Sequence, residues 1–401
     1  MTNSILTSHY PSTSNHILLS NNWPSNTSSN TVLASHDASY PAPGGGGAFS
    51  ATLNSAAGIM TISDPTNSLG TKSIYTPTYF KSWRGLSAGT KATSTAVGLD
   101  RWDTSRPEPE IVALAGIGGQ ALNSPHPMPN EADAGYSIHL QKIVPDTTEL
   151  LMSHWMRITC TNPSILTTNI LQVKGHRIGI GTGDAVSNSQ NTNPRMGWTS
   201  WRHPTTLTMH TIAETWWPEY WGTAANGSAH PATSTHQLSN VTDMGYGAWL
   251  YTESHFKWND LGNNNGFIKM SFNNKPIIDT VLKGVTVNIR SVAGDVIRNC
   301  SFHPGIQSVN ASSTVPDFDV WYSRPYVDTG SQCIQRVFLG DAPILASCSG
   351  RFMLPATSWT PGNITVSDCF DYPSTYKYVF VIGQSGNVVS NSGQGFEFAV
   401  V

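Results

Sequence analysis

Charge is scarce in this chain. Only 12% of its 401 residues are Asp, Glu, Lys or Arg, about half the usual share, and the formal net charge is −3. With no basic patch to track a phosphate backbone, nucleic acid is excluded as a partner class. No apolar run reaches the ~18 residues of a membrane-spanning helix, so no membrane span is expected. Helical periodicity is nearly absent, which argues against an α/β fold. Neither C-x-x-C nor H-E-x-x-H occurs, so the familiar zinc signatures are missing. The first residues, MTNSILTSHYPSTSNHILLS, lack the basic and continuous apolar regions of a secretory signal. That leaves export by an unusual route, a signal outside this sequence, or release by lysis as virion proteins are released.

What is present is uncharged polarity and aromatic area. Ser, Thr and Asn fill the sequence, alongside 13 Trp and 13 Tyr, a profile common in surface and extracellular β proteins. Short alternating segments punctuated by Gly, Pro and Asn predict an all-β sandwich. Residues 1–47 read as a Ser/Asn/Pro/Gly-rich extended arm. Its apolar islands Ile5-Leu6, Ile17-Leu18-Leu19 and Val32-Leu33 suit docking on its own domain or on a neighbouring subunit. Strands are predicted at 136–143, 149–159, 170–180, 207–214, 284–297, 317–327, 336–339, 364–367, 376–382 and 396–401. Residues 182–203 and 222–245 read as long polar connections, and Gly116-Ile-Gly-Gly119 as a turn, since the full phosphate-loop spacing is missing.

Trp249–Asp279 is the most informative stretch. It reads as a hairpin whose first strand places Trp249, Tyr251, Glu253, His255 and Lys257 on one face, because successive strand residues point to opposite sides. Aromatic, acidic, imidazole and ammonium groups together make a plausible floor for a polar ligand. A second aromatic cluster, Trp216, Trp217, Tyr220 and Trp221, is interrupted by Pro218. These rings suit either stacking on sugar rings or a subunit interface.

The order Trp249, Glu253, Lys257, Asn259, Gly262 and Gly266, then Asn273-Asn-Lys-Pro and Asp279, resembles the concanavalin A-like lectin/glucanase jelly roll, a superfamily with laminin-G-like modules and polysaccharide lyases. Arg336, Gly340-Asp341, Trp359, Tyr378 and Gly386 resemble a small immunoglobulin-like β module appended to such domains. The resemblance implies a jelly-roll β-sandwich over residues 48–330, preceded by the extended arm, and a small C-terminal β-sandwich over 331–401. Its members bind, hydrolyse or eliminate sugars, or are purely architectural, so it transfers no catalytic residue.

Glycoside hydrolysis needs two facing carboxyl groups, but Trp216-Trp-Pro218 separates Glu214 from Glu219, and Glu253 reads as an ion-pair partner of Lys257 or of an arginine on a neighbouring strand. Uronate elimination needs a Tyr or His base and a carboxylate neutraliser. Tyr251, His255 and Lys257 on one strand, with His139 and Gln141 on another, would serve if the two sets met on one concave sheet. No cofactor is required by any motif, although Asp260, Asn263, Asn264 and Asn265 offer hard oxygen ligands suited to Ca²⁺. Cys160 stands alone, and Cys300, Cys333, Cys348 and Cys369 allow three disulfide pairings.

The expectation that follows is a non-enzymatic, self-assembling structural protein of an extracellular or virion surface. It would bind a polysaccharide or cell-surface glycan through Trp216, Trp217, Tyr220, Trp221, Tyr251, Glu253, His255 and Lys257. It would form a homo-oligomer or larger assembly through its arm and C-terminal module. A polysaccharide-active enzyme, lyase before hydrolase, and a subunit with no ligand are the alternatives.

Overall fold

The computed structural model describes residues 49–100, 107–126, 135–137, 140–160, 170–179, 195–202, 209–216, 239–241, 247–263, 265–279, 290, 293–302, 305–309 and 318–401. The arm expected at 1–47 lies outside them. The described chain is all-β, with only two single-turn 3₁₀ segments, Leu345–Ser347 and Asn391–Gly393.

Four sheets build two stacked units. Sheet I runs Lys275–Asp279, Phe267–Phe272, Trp249–Lys257, Glu149–Cys160, Phe318–Thr329, Gly119–His126, Glu110–Gly116, with Tyr79–Phe80 added beside Phe318–Thr329. Sheet II runs Ser239–Val241, Met209–Trp216, Arg195–Arg202, Ile170–Gly179, Ile297–Phe302, Leu140–Thr147, with Gly305–Val309 bridging Ile170–Gly179 to Gly135–Ser137. Sheets I and II face each other as a jelly-roll sandwich. Their shared core holds Leu150, Met152, Met156, Phe256, Ile268 and Val320 from sheet I and Leu140, Val144, Ile178, Cys300 and Phe302 from sheet II.

Sheets III and IV form a smaller sandwich. Sheet III runs Ala356–Trp359, Asn363–Val366, Ile59–Ser63, Ser50–Asn54, Ala399–Val400, and sheet IV runs Phe352–Leu354, Arg336–Gly340, Tyr378–Ile382, Phe396–Glu397. This corrects the boundary at residue 48. Ile59–Ser63 pairs with Asn363–Val366, and Ser50–Asn54 pairs in parallel with Ala399–Val400. The alternating burial of Leu53, Met60 and Ile62 completes the core of the small sandwich. The first described strands therefore belong to the C-terminal unit.

The central hairpin forms with one strand more than expected. Trp249–Lys257 pairs with Phe267–Phe272, which turns at once into Lys275–Asp279. Asn273 and Asn274 make that turn in the left-handed region, at φ 42° and 62°, the geometry that suits the twist of a two-residue hairpin and that Asn tolerates. The side-chain oxygen of Asn273 also accepts the Tyr251 amide at 3.0 Å, tying the turn to the next strand. Gly116–Gly119 is a tight turn as expected. Gly118 sits at φ 64°, and a Cβ on Gly119 would lie 2.0 Å from the Ser82 carbonyl oxygen. The predicted loop 182–203 is different: Arg195–Arg202, with Trp198 and Trp201, is a central strand of sheet II. Of the predicted strand 284–297, only its end is described as strand, where Ile297 opens Ile297–Phe302.

The two sandwiches are joined through the outer face of sheet I. Leu151, Trp155, Tyr251 and Tyr326 belong to the same buried cluster as Val337, Phe338, Phe352 and Phe380 of the small sandwich. Between Ser323 and Tyr326 the strand slips register, where Pro325 cannot donate a ladder hydrogen bond and Arg324 takes φ 49°. This bulge directs the Arg324 guanidinium at Asp368 (2.8 Å) and the Met353 carbonyl (2.7 Å), 3.8 Å above the Phe352 ring. Backbone irregularity in one unit thus becomes an anchor for the other.

Candidate functional site

The jelly roll has two outer faces, and both carry buried polar groups. On sheet I, Tyr251, Glu253 and His255 share a face as the alternation predicts, but they are only 1, 7 and 8% exposed. The small sandwich covers them. Glu253 Oε1 accepts from Arg336 at 2.6 Å and from Arg351 at 2.7 Å, while Glu253 Oε2 accepts from the Tyr251 hydroxyl at 2.8 Å. Both guanidiniums also lie over the Phe338 ring, at 5.8 and 5.0 Å. Burial alone would raise the Glu253 pKa, but the two arginines and the Tyr251 hydroxyl outweigh it and hold the carboxyl below its ordinary value. The expected ion pair of Glu253 thus forms with arginines of the other sandwich. As folded, this face is a seam between modules and not an open ligand floor. Trp249 and Lys257, at the two strand ends, are the members that stay partly exposed.

Between the two jelly-roll sheets lies a second polar cluster. His154 Nδ1 and His176 Nε2 are 2.7 Å apart, His176 Nδ1 is 2.7 Å from the Ser254 hydroxyl, and Thr252 Oγ1 is 3.2 Å from His154 Nδ1. Burial pushes the His154 pKa down to about 3, and burial with the neighbouring ring pushes that of His176 well down too. These are neutral, structural histidines that pin sheet I to sheet II.

The outer face of sheet II is built differently. Gln141, Ser301 and Arg177 are adjacent across three strands. They alternate with Leu140, Phe302, Cys300 and Ile178, which point into the core, so the polar trio faces away from it. The trio is nevertheless 3, 0 and 4% exposed, and Asn299 beside it is fully buried. Among the described residues the Ser301 hydroxyl has no hydrogen-bond partner. Register extends the row from Arg177 through Gly197 to Glu214. Neighbouring rows align Lys174 with Thr199, Gln172 with Trp201 and His210, and Asn299 with Gly179, Arg195 and Trp216.

The sequence-predicted sets therefore separate. Tyr251, His255 and Lys257 lie on the outer side of sheet I, and Gln141 lies on the outer side of sheet II, so they do not meet on one sheet. His139 lies outside the described residues. Trp216 ends the Met209–Trp216 strand of sheet II, and Trp217, Tyr220 and Trp221 lie outside the described residues. In the Asp260–Asn265 loop, Asn265 bonds both the Asp260 carboxylate (2.7 Å) and the Asp260 amide (2.8 Å). Those oxygens are committed to closing their own turn; Asn264 is outside the described residues. Cys300, Cys333, Cys348 and Cys369 are free and buried, with no disulfide among them. Arg177 and the row it heads were missed in the sequence, because the five members come from five separate strands.

No family model and no curated protein matches the chain. Solved structures that align with the chain include alginate lyase Aly36B, at 15% identity and TM-score 0.42 over 63% of this chain and 98% of that one. A marine PL-14 alginate lyase from Aplysia kurodai aligns at 11% identity and TM-score 0.40, over 64% of this chain and 100% of its own. The carbohydrate recognition domain of Emp46p in its potassium-bound form aligns at 11% identity and TM-score 0.34, over 64% and 97%. None of these likenesses transfers a residue or an activity to this chain.

Proposed function

We propose that the chain is a polysaccharide-binding jelly-roll protein that takes an acidic glycan on the outer face of sheet II, with the small sandwich fixed to the opposite side. The observation that carries this reading is the row Gln141, Ser301, Arg177, polar and buried on a sheet face that belongs to neither hydrophobic core. Both outer faces bury their polar groups from solvent; the sheet II row lies outside both hydrophobic cores, so a glycan that displaces its cover would meet hydrogen-bonding groups and not apolar side chains. The Arg177 guanidinium suits carboxylate-bearing sugars, since a guanidinium pairs with a carboxylate in bidentate fashion.

The test is calorimetric titration of the full chain with a uronic-acid polymer and with a neutral glucan. Binding to the polyuronate alone, weakened at least tenfold in Arg177→Gln and in Lys174→Gln, supports the reading. Equal affinity for the neutral glucan, or variants that bind like the parent, rejects it.

A second reading, uronate elimination, draws on the strand order, in which the strands of His210 and Arg177 flank Arg195–Arg202 on either side. There an imidazole would remove the proton beside a carboxylate that Arg177 neutralises. Ultraviolet absorbance from an unsaturated product, growing with time and lost in His210→Gln, separates enzyme from binder. The setting expected from composition, an assembling surface or virion protein, is compatible with either. Mass photometry of the full chain and of a chain lacking residues 1–47 tests it: a single monomeric mass for both removes the assembly role.

A further inference from the structure

The seam between the two sandwiches holds a set of donors that the glycan face does not use. Glu149 opens the Glu149–Cys160 strand of sheet I, His255 lies on the adjoining strand, and Cys333 lies in the turn that leads into the small sandwich. One carboxylate oxygen, one imidazole nitrogen and the thiol sulfur lie within 4.8 Å of one another. His255 Nε2 is 2.8 Å from Glu149 Oε1 and 3.7 Å from Cys333 Sγ.

We propose that Glu149, His255 and Cys333 form a binding site for a single divalent transition ion of the zinc type, which staples the small sandwich to the jelly roll. A tetrahedral ion with bonds of ~2.3 Å to sulfur and ~2.0 Å to nitrogen holds those two atoms about 3.5 Å apart, close to the spacing here. The nitrogen–oxygen edge of the same tetrahedron is roughly 3.3 Å, so the His255–Glu149 contact opens by about half an ångström. Thiolate and imidazole select zinc-like ions over Ca²⁺ or Mg²⁺. Glu149 and the Cys333 thiolate balance the two charges of the ion, and binding releases the Cys333 proton to solvent. The Glu149 and His255 side chains keep 15% and 11% exposure, so the ion has an entry side and a fourth position for water. Three cations stand near the site, of which Lys72 is paired with Asp328 at 2.5 Å. Arg336 is engaged by Glu253 at 2.6 Å and by the Ile334 carbonyl at 2.7 Å, and Lys269 pairs with His255 across the strands.

The sequence hides this site because its ligands are spread over residues 149, 255 and 333, with no short spacing to mark them.

Titration of the metal-stripped full chain with Co²⁺ tests the proposal. The expected result is one equivalent bound per chain, with a near-ultraviolet sulfur-to-cobalt charge-transfer band that disappears in Cys333→Ser and persists in Cys348→Ser. Zn²⁺ should displace the cobalt and quench the band. Glu149→Gln, at the exposed rim, should weaken binding at least tenfold and provides the test if Cys333→Ser does not fold. Absence of stoichiometric uptake, a charge-transfer band that survives Cys333→Ser, or unchanged affinity in Glu149→Gln would overturn the site. Polyuronate titration of the same samples keeps the result separate from that of the glycan face.

Discussion

The two outer faces of the jelly roll carry similar residue types and come to different ends. On sheet I, a carboxylate, an imidazole and a phenol are sealed beneath the small sandwich, and the carboxylate is answered by two arginines from that module. On sheet II, an arginine, a glutamine and a serine form a buried row with no opposing module among the described residues. A polar strand face therefore does not announce a binding site by itself. On sheet I the cover is identified: the small sandwich supplies Arg336 and Arg351 to the Glu253 carboxylate.

Breaking the sealed face should have the largest effect. Glu253→Ala leaves Arg336 and Arg351 buried without their carboxylate, and removal of one side of a buried pair typically costs ~3–5 kcal/mol. A fall of that size in the urea-unfolding free energy is expected. A loss under about 1 kcal/mol would mean that the arginines reach water and the seam is loose.

Gly350→Ala comes next. Its new methyl would lie 2.5 Å from the Trp155 ring and 3.1 Å from the Tyr251 Cβ, overpacking the seam by ~1–3 kcal/mol. The midpoint of thermal unfolding reads it out.

Acid titration probes the interior between the two faces. His154 and His176 stay neutral in the fold with lowered pKa values, so the unfolded chain binds more protons once the pH falls below ~6.5. Their contribution to stability is present above that pH and declines as pH falls towards about 3, where His154 itself titrates, at up to ~1.4 kcal/mol per pH unit for each ring. Asp328 acts in the opposite sense. Burial first, only partly countered by Lys72, raises its pKa to about 6, so its protonation relieves strain as pH falls through that value. Burial lowers the pKa of His255 as well, so with three histidines against one aspartate stability should fall between pH 6.5 and 5, and the fall should be shallower in His176→Gln. A flat profile contradicts the assignment.

The smallest effect belongs to the rim of the seam. Arg84 and Asp371 pair at 2.9 Å while 48% and 58% exposed, so Asp371→Asn should change stability by no more than ~1 kcal/mol.

Much of the fold was legible in the sequence. Alternation in Glu149–Cys160, Trp249–Lys257 and Phe318–Thr329 marks strands because one face of each meets an apolar core, and Asn273-Asn274 marks a turn because both residues tolerate positive φ. The membership of Ser50–Asn54 and Ile59–Ser63 in the C-terminal sandwich was not legible. Their partners are about 300 residues away, and period-2 alternation says which residues face inward but not which core they face. The same limit governs the sites. The sharing of a face by Tyr251, Glu253 and His255 could be read locally. The covering arginines Arg336 and Arg351, the row from Gln141 to Glu214, and the triad Glu149, His255 and Cys333 all depend on pairing between distant strands.

Parallel polyuronate titrations of the parent chain, Arg177→Gln on sheet II and Lys257→Gln on sheet I test the central claim most directly. The account predicts affinity at least tenfold weaker for Arg177→Gln and unchanged for Lys257→Gln. Loss of binding in Lys257→Gln with Arg177→Gln unaffected would put the ligand on the other face and contradict it.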